Sequence, residues 1–164
     1  MPPLPMVIFE DDRLVVVNKP AGMLAHPTGI VFAYGLVNVA RAARPDDNMD
    51  LAHRLDRETS GINVLTKDRV ANAFLKAAFK AKQIDKCYRA IVRGSPDWDQ
   101  RLVDAPVGLA TDSAIRIRRA VNPDGLSAQT LFTVERRVNG LSLIRAEPRT
   151  GRTHQIRVHL EHLG

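Results

Sequence analysis

The sequence predicts an α+β fold, because strand-like and helix-like patterns follow one another along the chain. Residues 62–66 are rich in β-branched and aliphatic side chains, as strands are. A helical pattern follows over 67–83, and residues 84–92 are again strand-like. A chain of 164 residues is long enough to bury a hydrophobic core, so we expect these elements to pack into one domain.

The second half of the chain contains a predicted β-hairpin. Residues 128–136 and 141–147 have strand-like patterns, and Asn139-Gly140 between them favours a tight two-residue turn. The remaining predicted elements are strands at 7–9, 14–18 and 104–107 and helices at 36–43 and 154–163.

Apolar periodicity predicts which helix faces are buried. For the helix over 67–83, the predicted buried stripe consists of Val70, Phe74, Ala77, Ala78 and Ala81. For the C-terminal helix, it consists of Ile156, Leu160 and Leu163.

The chain is basic, which favours a nucleic-acid partner. Its net charge is +6, its pI is about 10.0, and 18 of its 24 basic residues are arginine. Arginine presents a planar fork of donors that matches phosphates and guanine edges. A GC-rich genome produces the same arginine excess, and composition alone does not separate the two explanations.

Other classes of protein are disfavoured. Cys87 is the only cysteine, so no intrachain disulfide forms, and we expect a small core residue in a protein of the reducing cytoplasm. No apolar run reaches membrane-spanning length, and the N-terminus lacks the pattern of a signal peptide. His154 and His159 lie five positions apart and point to different faces of a predicted helix, so we expect no metal site.

The most distinctive stretch is the polar run 53–61, His-Arg-Leu-Asp-Arg-Glu-Thr-Ser-Gly, directly before the strand at 62–66. It holds Asp56 between Arg54 and Arg57. Two guanidinium groups favour an ionised carboxylate, which suits a nucleophile, a general base or an electrostatic stabiliser. The alternative is a structural ion pair in a surface loop, and spacing alone favours that alternative, because such pairs are common.

This stretch resembles the signature of the RluA family of RNA pseudouridine synthases. Three further blocks, at 17–27, 86–94 and 151–157, resemble the family in the same order, and the resemblance covers the chain from about Val7 to Gly164. It implies a mixed, largely antiparallel sheet with packed helices and a central RNA-binding cleft.

The resemblance also implies roles for single residues. Asp56 would be the catalytic aspartate, acting on the ribose of a flipped-out uridine as a nucleophile or as a base. Tyr88 would stack on the uracil, and Arg157 would pair with Asp56. We expect His53 to organise the loop rather than to act as an acid or a base. The implied reaction isomerises uridine to pseudouridine and needs no metal or redox cofactor.

The implied partner is structured RNA, either large-subunit ribosomal RNA or transfer RNA, bound by a monomer. The residues expected to contact RNA are Arg54, Arg57, Arg152, His154, Lys19 and Arg116. Arg54 would also help to flip the nucleotide, and Arg152 lies near a predicted helix start, where free N–H groups favour phosphate. Lys19 could contact phosphate or hold the turn, and the second role is favoured because this block is largely architectural in the family. For Arg116, two interpretations stay open, a phosphate contact and a position in a solvated hairpin.

We expect residues 1–164 to form one pseudouridine synthase catalytic domain that lacks the C-terminal end found in the family, with no separate N-terminal RNA-binding domain. Two alternatives are a non-catalytic RNA-binding module and a hydrolase of N-glycosides. A hydrolase commonly needs a second carboxylate, and Glu58 is the only other one in the polar run.

Overall fold

A computed structural model describes residues 3–27, 34–111, 113–115 and 117–164. The chain divides into two compact units, Met1–Gln83 and Ile84–Gly164. Each unit combines antiparallel strands with helices, so the predicted α+β class is confirmed. Arg116 lies outside the described residues, and its expected RNA contact stays a prediction.

The first unit is a four-stranded antiparallel sheet with two helices. Its elements are β1 (Val7–Glu10), β2 (Leu14–Lys19), α1 (Leu36–Ala43), β3 (Asp50–Leu51), β4 (Gly61–Thr66) and α2 (Arg69–Lys80). The strands lie in the order β1-β2-β4-β3, which places the two longest in the centre. Val15 and Val17 of β2 and Leu65 of β4 pack in one fully buried core with Leu36 and Val37 of α1.

The second unit contains a second four-stranded antiparallel sheet. Its elements are β5 (Tyr88–Arg93), β6 (Gln100–Asp104), β7 (Val107–Leu109), β8 (Arg119–Val121), β9 (Gln129–Val138), β10 (Leu141–Pro148) and α3 (Gln155–His162). The sheet has the order β5-β10-β9-β6, and β7 and β8 form a separate hairpin. Ile156, Leu160 and Leu163 pack against the core around Phe132 and Ile144, as predicted for the C-terminal helix.

The predicted turn at Asn139-Gly140 is confirmed. Both residues have positive φ, 51° and 74°, which is the backbone conformation that a two-residue hairpin between twisted strands requires. The turn joins β9 to β10, which pair along their whole length with one irregularity after Leu143.

The prediction for the buried face of α2 is confirmed only at Ala78 and is wrong at the other four positions. Val70 and Phe74 are each 71% exposed, whereas Ala71 and Asn72 are buried. Apolar residues occur on more than one face of this helix, so periodicity did not decide its rotation. The Asn72 amide does, because it donates to the Leu51 carbonyl at 3.1 Å and to a side-chain oxygen of β4 at 3.0 Å.

Two smaller predictions about the second unit also need correction. Cys87 is exposed rather than a core residue, and it precedes β5, which begins at Tyr88 and not at residue 84 as predicted. The strand predicted over 104–107 is broken, since β6 ends at Asp104 and β7 begins at Val107. Pro106 lies between them, and proline has no N–H to donate to a strand ladder.

Candidate active site

Asp56 lies in the loop between β3 and β4, in a hydrogen-bonded turn. The Thr59 N–H donates to the Asp56 carbonyl at 3.1 Å. Leu55 is buried beside the aspartate, which is itself half-buried. Gly61 starts β4 with φ +120°, a conformation that favours glycine. The turn therefore presents one partly accessible carboxylate from an anchored backbone.

Lys19 ties this loop to the end of β2. Its side chain is fully buried, and Nζ donates to the carbonyls of Pro20 at 3.0 Å, Met23 at 2.7 Å and Arg57 at 3.2 Å. Burial lowers the pKa of Lys19, and the nearby carboxylates of the loop oppose that shift. The expected RNA contact of Lys19 is therefore corrected, because a buried ammonium on three carbonyls does not face a phosphate. The alternative role of holding the turn agrees with these contacts.

The two arginines beside Asp56 are exposed. Arg57 Nε lies 3.2 Å from Glu58 Oε1 and donates to the Gly22 carbonyl at 3.3 Å. An ion pair this exposed contributes little to stability, so the Arg57 guanidinium can exchange Glu58 for another anion. RNA contacts by Arg54 and Arg57 stay predictions.

His53 organises the start of the loop, as expected. Its Nε2 accepts a hydrogen bond from the Val64 N–H at 3.2 Å, which ties the loop to β4. Its ring also lies 4.8 Å from the ring of Phe79 on α2, measured between centroids. His53 thus fastens the start of the polar run, three residues before Asp56, to the sheet and to a helix.

Tyr88 is the first residue of β5, where it pairs with Ala146 of β10. Its ring is half-buried against the core that contains Phe132 and Ile144. Shortly before it, Lys86 Nζ donates to the Thr150 carbonyl at 3.0 Å. A half-buried aromatic ring on a paired strand is suited to stacking, and the role of Tyr88 on a base stays a prediction.

The start of α3 places Arg152 and Arg157 differently. Arg152 Nε donates to the Ser127 carbonyl at 2.9 Å, and its backbone N–H donates to the Gln155 side chain at 2.9 Å. The expected phosphate site therefore has one fewer free N–H than a bare helix start.

His154 precedes the helix with φ 57°, an unfavourable conformation for a non-glycine residue. Arg157 lies on the exposed face of α3. RNA contacts by Arg152 and His154 stay predictions.

Sequence reasoning missed a polar network on the buried face of α3. Its members are Thr130, Thr150, Gln155 and His159, all of which are buried. Burial is the main cause that lowers the pKa of His159, so this imidazole is neutral at neutral pH. A glutamine and a histidine four positions apart on a helix were the available signal, because that spacing places them on one face.

Two searches of the described residues gave no candidates. Within them, no group of three or more His, Cys, Asp or Glu side chains is arranged to hold a metal ion. None of the helices that the structure describes is long and apolar enough to cross a membrane.

Comparison with known proteins connects this chain to a family. The family model described as RNA pseudouridylate synthase matches residues 13–162. Ribosomal large subunit pseudouridine synthase C of Vibrio cholerae is 40% identical over 159 residues, which are 96% of this chain and 49% of that protein. The protein of the same name from Pasteurella multocida is 40% identical over 160 residues, 96% of this chain and 48% of its own.

Two solved structures are similar in fold. Human RNA pseudouridylate synthase domain containing 4 superimposes with a TM-score of 0.76 at 28% identity, covering 95% of this chain and 63% of that one. Human RNA pseudouridylate synthase domain containing 1 gives a TM-score of 0.81 at 23% identity, covering 96% and 64%. This chain belongs to the RNA pseudouridylate synthase family, which confirms the resemblance, and it spans about half the length of the curated relatives it matches.

Proposed function

We propose that this chain carries the catalytic centre of an RNA pseudouridine synthase that isomerises a uridine of large-subunit ribosomal RNA. The family match over residues 13–162 carries the proposal, because it includes the loop of Asp56 together with Tyr88 and Arg157. The names of the bacterial relatives favour ribosomal RNA as the substrate, with transfer RNA as the competitor.

The reaction is an isomerisation in which no atom is gained or lost. The bond between N1 of the uracil and C1′ of the ribose breaks, the base turns, and a bond from C5 to C1′ replaces it while the C5 proton is released and N1 is protonated. Asp56 acts on the ribose, either by attack at C1′ or by removing a ribose proton. Tyr88 stacks on the turning base, and Arg157 pairs with Asp56 in the role that the family resemblance implies.

Access to the uridine requires that it leave the base stack. Flipping a nucleotide costs about a few kcal/mol, and neutralised phosphates offset that cost. The net charge of +6 and the exposed guanidinium groups of Arg54 and Arg57 support such contacts. We further propose that the protein works as a monomer in the cytoplasm, where the RNA is located and where a single cysteine stays reduced. Sedimentation tests the first point and cell fractionation the second.

The decisive experiment compares the wild type with Asp56→Asn and with Glu58→Gln as the matched control. Each protein is incubated with ribosomal RNA and with transfer RNA that lack pseudouridine, and new sites are mapped by carbodiimide primer extension. We expect new stops in ribosomal RNA with the wild type and with Glu58→Gln, and none with Asp56→Asn.

Other results identify the alternatives. Equal RNA binding by all three proteins without any new stop would indicate a non-catalytic RNA-binding module. Release of free uracil that is lost in Glu58→Gln would indicate a hydrolase of N-glycosides that uses a second carboxylate. Stops that appear only in transfer RNA would reassign the substrate.

A further inference from the structure

Gln155, at the start of α3, uses its whole hydrogen-bonding capacity inside the protein. Its Oε1 accepts from the Thr150 hydroxyl at 2.8 Å and from the Arg152 N–H at 2.9 Å. Its Nε2 donates to the Gln129 carbonyl and to Thr130 Oγ1, both at 2.9 Å. A side-chain amide has two acceptor and two donor positions, so every one of them is satisfied.

The Thr130 hydroxyl links Gln155 to His159 through hydrogen bonds. Because Thr130 Oγ1 accepts from Gln155, its single hydrogen is available for His159 Nδ1, which lies 2.9 Å away. His159 Nε2 lies 2.9 Å from the Ala105 carbonyl, which can only accept. The imidazole therefore carries its proton on Nε2, and the hydrogen bonds run in one direction from Gln155 to Ala105.

These contacts fix the rotation of α3 about its axis. Gln155 and His159 are four residues apart and lie on one buried face, held by β9 and by the link between β6 and β7. Arg157 is two residues from each, which places it on the opposite, exposed side of the helix. The left-handed backbone of His154 directly before the helix is held by the same contacts, since the neighbouring Gln155 cannot turn away.

We infer that this directional chain of hydrogen bonds positions Arg157, because it sets the rotation of the helix that carries the guanidinium. Thr130, Gln155 and His159 are positioning residues that touch neither the RNA nor the reacting atoms. The inference rests on the proposed function, in which Arg157 serves the catalytic aspartate.

The test uses the matched pair Thr130→Val and Thr130→Ser. Valine keeps the shape of threonine but can neither accept from Gln155 nor donate to His159, whereas serine keeps the hydroxyl. Nitrogen-15 NMR of the wild type is expected to show the Nε2–H tautomer of His159, with the same result in Thr130→Ser and a mixture of tautomers in Thr130→Val. The Arg157 Nε–H signal is expected to shift only in the valine variant. The inference would be overturned by an Nδ1–H tautomer of His159 in the wild type, or by an Arg157 Nε–H signal that does not shift in Thr130→Val.

Activity gives the second readout. We expect kcat to fall roughly 10- to 100-fold in Thr130→Val with little change in KM, and to recover in Thr130→Ser. In an Arg157→Ala background, Thr130→Val should cause no further loss, because its effect acts through the missing guanidinium. Equal losses in both backgrounds would refute positioning of Arg157. An inactive wild type would instead count against the proposed function, and the NMR measurements would still decide the inference.

Discussion

The buried ammonium of Lys19 provides the most direct test of how the Asp56 loop is held. Lys19→Met keeps most of the apolar stem and removes the charged group that donates to three carbonyls. One of those carbonyls belongs to Arg57, which is 38 positions away in sequence and next to the aspartate. The substitution therefore removes the side-chain link between the loop and β2 without opening a large cavity, while the backbone hydrogen bond from Gly22 to Arg57 stays.

The magnitude follows from the three contacts. A hydrogen bond to a charged group stabilises a protein by about 1.5–3 kcal/mol, and the 3.2 Å contact belongs at the low end. The cost of burying the ammonium, which also lowers the Lys19 pKa, offsets part of the sum. We expect a net loss of about 3 kcal/mol in the free energy of unfolding, which corresponds to about 6–12 °C in Tm.

Urea denaturation followed by circular dichroism measures this loss, with Lys80→Met as the control for removing an exposed lysine. Amide hydrogen exchange should also accelerate at Thr59, whose N–H closes the turn at Asp56. A change of less than about 0.5 kcal/mol in Lys19→Met, the range of an ordinary surface substitution, would refute the reasoning.

Three further predictions concern the stability of the first unit. Hydrogen bonds from Arg44 and then Lys67 lower the pKa of Glu10 from 4.5 to about 2. Since the folded state has the lower pKa, this stabilisation is complete above pH 4.5 and is lost as the pH falls toward 2. Glu10 is 35% exposed, so we expect the loss to be about 1 kcal/mol and to be absent in Glu10→Gln. Neither amide atom of the buried Asn63 has a hydrogen-bond partner among the described residues, so Asn63→Leu should raise the free energy of unfolding by about 1–2 kcal/mol. Lys82 lies two residues after the end of α2, has φ 58° and donates its N–H to the Phe79 carbonyl in the last turn, so Lys82→Gly should stabilise by about 1 kcal/mol.

Each of these has its own contrary result. The free energy of unfolding, measured between pH 2 and pH 6, should depend on pH differently in the wild type and in Glu10→Gln. Parallel pH curves for the two proteins would show that the ion pairs of Glu10 contribute nothing to stability. A lower free energy of unfolding in Asn63→Leu would mean that the Asn63 amide has hydrogen-bond partners in the folded protein in solution. For Lys82→Gly, the control is Lys80→Gly at the last position of α2, which should destabilise because that residue has a helical backbone. Equal effects at both positions would contradict the role of the left-handed backbone.

Local sequence features predicted much of the fold. The helix predicted over 36–43 has those bounds in the structure, and the Asn139-Gly140 turn joins two strands as expected. Both signals act over a few residues, because they depend on backbone preferences and on short-range periodicity. The rotation of α2 was not predictable in this way, because its apolar residues offered two faces and a hydrogen bond from Asn72 selected one.

The candidate site also has features that local sequence predicts and features that depend on contacts between distant residues. The sequence by itself determined the family, the polar run around Asp56 and the family blocks that contain Tyr88 and Arg157. Only the tertiary structure decided that Lys19 is buried on the carbonyls of the loop. It alone also decided that a chain of hydrogen bonds through His159 holds α3. The physical reason is that a buried polar side chain is satisfied by backbone groups far away in sequence, and only folding brings those groups within hydrogen-bonding distance.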